Sequence, residues 1–338
     1  MKAYEIQGSF GLDNLKLTDR DDPKPGPGQV VVQVKAVSLN FRDLMMVQGM
    51  YNPKQPLPLI PCSDGAGEVV AVGDGVDNVK KGDKVCGCFF QDWLSGDPSM
   101  DKCAASSLGG PIDGMLAEQV TLAAHGVVPF PEFMSFEKAA TLPCAALTAW
   151  SALFRKSDLK PGDTVLTLGT GGVSIFALKM AKAAGATVII TSSSDEKLER
   201  AKKLGADHTI NYKQDEQWGK TAKKITGGRG VDYVIELGGA GTLEQSLRAV
   251  RLGGHVAMIG VLSGAQQPIN VIGILMQEVR VQGIFVGHRE SFEDMNRALE
   301  RNQIKPVISD TFSFEDAPKA FDHMAKGGHF GKIVINVG

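Results

Sequence analysis

Two hydrophobic periods divide this chain. In its first part, short β-branched runs are broken by glycine and proline. Residues 30–37 form one such run, entered through Pro23, Pro25, Gly26, Pro27 and Gly28. Residues 67–72 form a second, closed by Gly73-Asp74-Gly75, and a third stretch surrounds residues 84–90. Short strands with this punctuation predict a barrel-like or sandwich-like domain. Residues 91–111 are polar and irregular and read as a long surface loop. After about His125 the pattern changes. Residues 136–153 are rich in Ala and Leu and read as helical, interrupted by Pro143. Strand and helix signals then alternate: strands at 164–168, 187–191, 209–212, 231–237 and 255–259, with helices at 173–184, 195–204, 218–225 and 243–250 between them. A short helix at 272–276 and a sixth strand at 279–286 follow. Repeated βα units of this length predict a doubly wound parallel sheet. The tail after Arg289 is too short to fold alone and is expected to return to the first domain. The expected division is therefore 1–125 with 290–338, and 126–289.

Composition narrows the class. Hydrophobic residues make 43% and charged residues 22%, the balance of a folded globular chain rather than a disordered one. The 40 glycines carry no Gly-X-Y period, which excludes collagen. A net charge of -2 leaves no broad electrostatic footprint for nucleic acid. No apolar run reaches the roughly 20 residues that span a bilayer. The segment from Met1 to Gly8 has no apolar signal core. Neither nucleic acid nor membrane is an expected partner. Five cysteines, odd in number, do not make a disulfide framework in a chain this long, and the expected compartment is the reducing cytoplasm.

The most informative segment runs from Val165 to Ser174, where a strand enters glycines and then a helix. Gly169 permits the tight turn, and Gly171 and Gly172 let the backbone approach a pyrophosphate. The helix beyond, opening at Val173, offers free N–H groups and the positive end of its dipole. Ser174 stands where a third glycine is usual and is small enough for close packing. An NAD site commonly places an acid about 20 residues after this loop, on the ribose 2′-hydroxyl. Here that place holds Ser192, Ser193 and Ser194. Serines can donate to a 2′-phosphate that a carboxylate would repel. Lys197 follows and can supply charge, and Tyr212 can flank the adenosine phosphate. NADPH is the expected cofactor, with NADH weaker.

Several ordered segments bear a wider resemblance: Asn40-Phe41-Arg42-Asp43, Gln48-Gly49-Met50-Tyr51, the stretch from Asp64 to Val70, Leu147-Thr148-Ala149-Trp150 and Gly331-Lys332-Ile333-Val334. Over its whole length the chain resembles the medium-chain dehydrogenase/reductase superfamily, in particular its zinc-free, quinone oxidoreductase-like branch. The resemblance implies a GroES-like catalytic domain, completed by the C-terminal tail, and a Rossmann domain between. It implies cofactor contacts at Thr148 and Lys332. Gly238, Gly260, Phe285 and Val286 complete the expected cofactor set. Zinc-dependent members carry a cysteine, a His-Glu pair and a third ligand. Residues 38–40 take the place of the first cysteine here, Ser63-Asp64 replaces the His-Glu pair, and only Cys144 falls where some members have the third ligand. A tetrahedral zinc needs about four ligands, so no metal site is expected. Cys144 reads as a small buried hydrophobe, or as a relict lining the substrate pocket.

Without a metal, an isolated carbonyl has no strong electrophile to receive its charge. A quinone or enone spreads that charge and needs only hydrogen-bond donors. Asn40 is the leading donor, to the substrate or to the nicotinamide ribose. Tyr51 is expected to line the pocket. Asp43 is a proton-relay candidate or a turn carboxylate, and Arg42 is expected in a surface or interdomain ion pair. The expected function is NADPH-dependent reduction of a small-molecule electrophile. An alcohol or aldehyde dehydrogenase and a non-catalytic dinucleotide-binding protein are the alternatives. The long apolar sixth strand, at a sheet edge, invites pairing in a homodimer.

Overall fold

The computed structural model describes all 338 residues, from Met1 to Gly338, in two compact units. The first comprises 1–147 and 287–338. It holds a seven-stranded sheet in which Ile308–Ser313, Lys332–Asn336, Gln29–Ser38, Asp64–Val72, Lys84–Gly87 and Val127–Pro129 follow one another. Gln119–Ala123 also pairs with Gln29–Ser38. The expected return of the tail is found here: Val334 lies opposite Ser38 and Ile335 opposite Val37 in antiparallel register. Val30, Val32, Val34 and Val37 from the central strand join Ile333, Ile335 and Phe321 from the tail in one core. Burial of that shared apolar surface holds the tail to a domain whose first part ends at Leu147. Gly67 serves close approach, since a Cβ there would stand 2.1 Å from the Gln33 carbonyl oxygen.

Three expectations shift in this unit. Val127–Pro129 pairs with Lys84–Gly87, so the first unit runs past residue 125 to Leu147. The stretch 91–111 is not merely a surface loop. It contains the helix Met100–Cys103 and buries Trp93, Cys103 and Leu108. Pro143 does not break the helical stretch around it. It lies in the first turn of a π-helical segment, Leu142–Ala146, where its missing N–H costs little.

The second unit, 148–286, is built on six parallel strands. In chain order they are Thr164–Thr167, Thr187–Ser192, His208–Asn211, Val231–Glu236, Val250–Met258 and Arg280–Gly283. Across the sheet they stand third, second, first, fourth, fifth, sixth, the doubly wound dinucleotide-binding order. Val188, Ile189 and Ile190 are all buried, as a strand covered on both faces requires. The fifth strand begins at Val250, earlier than its apolar run suggests, and the sixth ends at Gly283. The chain leaves the strand direction beyond Gly283, and Val286 sits at φ 47°, an uncommon conformation for a β-branched residue.

Candidate active site and cofactor cradle

In the second unit, the first strand turns at Gly169, with φ 74°, into the helix Gly172–Ala183. A Cβ at Gly169 or Gly171 would meet nothing within 4 Å. The turn is therefore an open cradle at a helix N-terminus, whose first N–H groups have no intrahelical partner. Val173 lies in that first turn. Ser174 is buried and donates its hydroxyl to the Leu168 carbonyl at 2.6 Å. The serine thus ties helix to strand at the place where a glycine would only permit contact. These features fit a dinucleotide pyrophosphate.

At the end of the second strand no acid is present. Ser192 is buried, and its hydroxyl accepts the Ser194 N–H at 3.3 Å. Ser193 is exposed, so the outward-facing hydroxyl of the pair belongs to Ser193. Ser194 caps the helix Asp195–Lys203 and accepts the Lys197 N–H. The Lys197 ammonium pKa is lowered by burial and by the nearby Arg200 charge. The Tyr212 N–H donates to the Ser192 carbonyl at 3.1 Å, which brings Tyr212, partly exposed, beside the serines.

Gly238 and Gly260 meet through a residue that sequence reading missed. Glu236 is fully buried at the end of the fourth strand. One carboxylate oxygen accepts Gly238 N at 2.8 Å, Gly239 N at 3.1 Å and the Thr242 hydroxyl at 2.5 Å, and the other accepts the Ser246 hydroxyl. The Gly260 N–H donates to the Glu236 carbonyl at 3.3 Å. The signal was available: an acid closing an apolar strand, then Gly-Gly, then Thr242 and Ser246 four residues apart on one helix face. Thr148 is buried, Phe285 is exposed and Val286 is buried.

In the first unit, Asn40 stands at the N-terminus of the helix Phe41–Val47. Its backbone N–H donates to Asp43 Oδ2 at 2.8 Å, and Ser63 N donates to Asp43 Oδ1 at 3.3 Å. Asp43 is fully buried. Desolvation pushes its pKa up to about 6, opposed by the Arg42 charge. The carboxylate is thus a capping group held by backbone donors. The Asn40 carboxamide accepts Lys332 Nζ at Oδ1 across 2.6 Å and donates from Nδ2 to Ser63 Oγ at 3.4 Å. Ser63 Oγ donates to Asp64 Oδ1 at 2.7 Å, and Asp64 Oδ2 accepts Cys144 N at 3.0 Å. Burial raises the Asp64 pKa, while the Lys332 charge and the Ser63 hydrogen bond oppose the rise.

The fold therefore brings together Asn40, Ser63, Asp64 and Cys144, the very positions named as standing for zinc ligands. Their chemistry does not fit a tetrahedral zinc. The set offers one thiol, one carboxylate whose oxygens are both hydrogen-bonded, a hydroxyl and an amide already facing an ammonium. No group of three or more His, Cys, Asp or Glu side chains is placed to hold a metal. Cys144 keeps part of its surface exposed rather than being a fully buried hydrophobe.

Arg42, expected in a surface or interdomain ion pair, pairs inside the first unit, its Nη1 3.5 Å from Asp43 Oδ1. Its guanidinium is buried between the rings of Tyr51 and Phe89, at 4.9 and 5.0 Å, and donates to the Leu108 carbonyl at 2.7 Å. Tyr51 is exposed. Lys332 is buried within the first unit, donating to the Leu39 carbonyl and to Asn40 Oδ1, both at 2.6 Å.

Comparison with known proteins agrees with this architecture. Residues 26–132 match the alcohol dehydrogenase GroES-like domain family, and residues 172–301 match the zinc-binding dehydrogenase family. The second match lies outside the Asn40–Asp64 cluster. A zinc-type alcohol dehydrogenase-like protein of Schizosaccharomyces pombe is 46% identical over 334 residues, 97% of this chain and 96% of that protein. An acryloyl-coenzyme A reductase of Sulfurisphaera tokodaii is 29% identical, covering 99% of each chain. A solved NAD-dependent alcohol dehydrogenase superposes with a TM-score of 0.92 at 34% identity, covering all of both chains. A mycobacterial protein solved with NADPH superposes at 0.83 and 27% identity, again over both whole chains. The two-unit architecture, the glycine cradle and these whole-length matches make the chain an oxidoreductase of the medium-chain dehydrogenase/reductase superfamily.

Proposed function

We propose that this oxidoreductase reduces a quinone or an α,β-unsaturated carbonyl with NADPH, without zinc. The observation that carries the reading is the hydrogen-bonded set Lys332–Asn40–Ser63–Asp64, which fills the metal's place with donors and a fixed cation. The bound dinucleotide supplies the hydride. The chain's own residues then have to meet the charge that gathers on the substrate oxygen. An isolated ketone concentrates that charge, whereas conjugation spreads it. One aimed N–H from Asn40 Nδ2, with the Tyr51 hydroxyl as a second donor, is suited to the spread charge. Asp43 contributes by holding the Asn40 backbone. The relative named as an acryloyl-coenzyme A reductase acts, by its name, on a conjugated carbonyl. The run Ser192 to Ser194 and the Lys197 ammonium favour NADPH over NADH, and a relative of the same architecture was solved with NADPH.

A second reading, alcohol oxidation, draws support from relatives named alcohol dehydrogenases. Steady-state rates for a panel of quinones, enones, aldehydes and simple alcohols, each with both nicotinamides, separate the two. The expected result is fastest turnover of a conjugated carbonyl with NADPH. Faster oxidation of ethanol-like alcohols would refute the proposal. So would a stoichiometric zinc that survives dialysis, in protein purified without a metal-binding tag.

The proposed assembly is a homodimer in the cytoplasm. Arg280–Gly283 is an edge strand, and Val281 and Phe285 beside its outer side are exposed. Pairing this edge with a second copy would continue the sheet across a twofold axis. No helix is long and apolar enough to cross a membrane.

A further inference from the structure

We infer that Lys332 is the positioning residue that makes Asn40 a donor in one fixed direction, acting through the carboxamide rather than on a cofactor phosphate. The inference rests on the reading above that Asn40 serves the substrate oxygen. An ammonium has three N–H donors and no lone pair. The carboxamide atom facing Lys332 Nζ at 2.6 Å must therefore be Oδ1. The flip of an asparagine amide is ordinarily decided by weak preferences. Here a charged, donor-only neighbour decides it, and Nδ2 is left facing Ser63 Oγ. The same contact draws electron density toward Oδ1, which strengthens the Nδ2–H groups as donors.

The ammonium is itself held by the fold. A second N–H goes to the Leu39 carbonyl at 2.6 Å. Leu39 N donates to Ile333 O at 3.1 Å, so the backbone ladder between tail and central strand carries Lys332 to Asn40. Lys332 is buried, and its charge is felt by both Asp64 and Asp43. Two of its three donors are thus committed inside the first unit.

The test compares the wild type with Lys332→Met, Lys332→Gln, Asn40→Ala and the double variant Asn40→Ala/Lys332→Met. Three readouts are taken: kcat on the wild type's fastest substrate, NADPH Kd by fluorescence, and the side-chain amide signals of Asn40 in protein labelled with 15N-asparagine. Lys332→Met should lower kcat at least about tenfold while NADPH Kd stays within about threefold, the pattern of a lost transition-state contact. The double variant should be no slower than Asn40→Ala alone, because both changes remove one interaction. The Asn40 amide pair, distinct and slowly exchanging in the wild type, should average in Lys332→Met. Multiplying losses in the double variant would overturn the inference. So would NADPH affinity falling about tenfold at unchanged kcat, which would make Lys332 a phosphate contact. If Lys332→Met does not fold, Lys332→Gln carries the same comparison, since its amide can turn and no longer dictates the flip. If the wild type reduces no conjugated carbonyl, the proposed function fails, and the Asn40 amide signals still decide the positioning role.

Discussion

Acid should weaken this fold through one histidine. His255 lies on the fifth parallel strand and is buried, with Nδ1 at 3.2 Å from Ser157 Oγ and no partner at Nε2. Burial lowers its pKa to about 4, helped by the neighbouring Arg280 charge. The unfolded chain binds a proton there near pH 6.5. The folded state thus excludes a proton that the unfolded state accepts. The stabilisation is complete above pH 6.5 and is lost as pH falls from 6.5 toward 4. With these two values the loss is about 2 kcal/mol at pH 5 and about 3 kcal/mol at pH 4. A loss of 2 kcal/mol corresponds to a fall of about 4–8 °C in Tm for a unit of this size. His255→Leu removes the titration while keeping an apolar side chain of similar size. Thermal melts of both proteins between pH 8 and pH 4.5 give the difference. Asp43, with its pKa raised to about 6, acts in the opposite sense, its penalty being relieved as pH falls, but it is common to both proteins and cancels. The wild-type Tm should fall toward that of the variant, or below it, as pH drops through 6.5. Parallel Tm curves for the two proteins would refute the reasoning.

Other substitutions test the cofactor cradle and the assembly. Ser192→Asp should shift the ratio of NADPH to NADH affinity toward NADH by at least about tenfold through repulsion of the 2′-phosphate. Its carboxylate can still accept the Ser194 N–H, and an unchanged ratio in binding titrations would contradict the NADPH assignment. Glu236→Ala strips a partner from two backbone N–H groups and two hydroxyls, and should cost about 3 kcal/mol or more, read as a lower denaturation midpoint. Its NADPH affinity should fall too, because the turn at Gly238 and Gly239 loses its anchor, and wild-type stability would refute this account. Sedimentation at micromolar concentration should give the mass of two chains; a mass near 36.0 kDa would count against the dimer.

The sequence alone determined the βα alternation, the glycine turn at Gly169 and the absence of an acid at Ser192 to Ser194. Those signals are local: hydrophobic period, turn chemistry and one residue's place after a strand. The return of the tail was also legible, because so short a segment cannot bury a core of its own. Only the tertiary structure decided where the chemistry lies. Lys332 reaches Asn40 across 292 positions through the register of two antiparallel strands, and no local pattern encodes that register. Arg42 reads as a surface charge until the rings of Tyr51 and Phe89 close over it. Ser192 and Ser193 are neighbours of one chemistry, yet Ser192 closes a strand buried on both faces and Ser193 opens the exposed bend beyond it. Asn40, Ser63, Asp64 and Cys144 come from separate segments, and only the tertiary structure joins them in one hydrogen-bonded set.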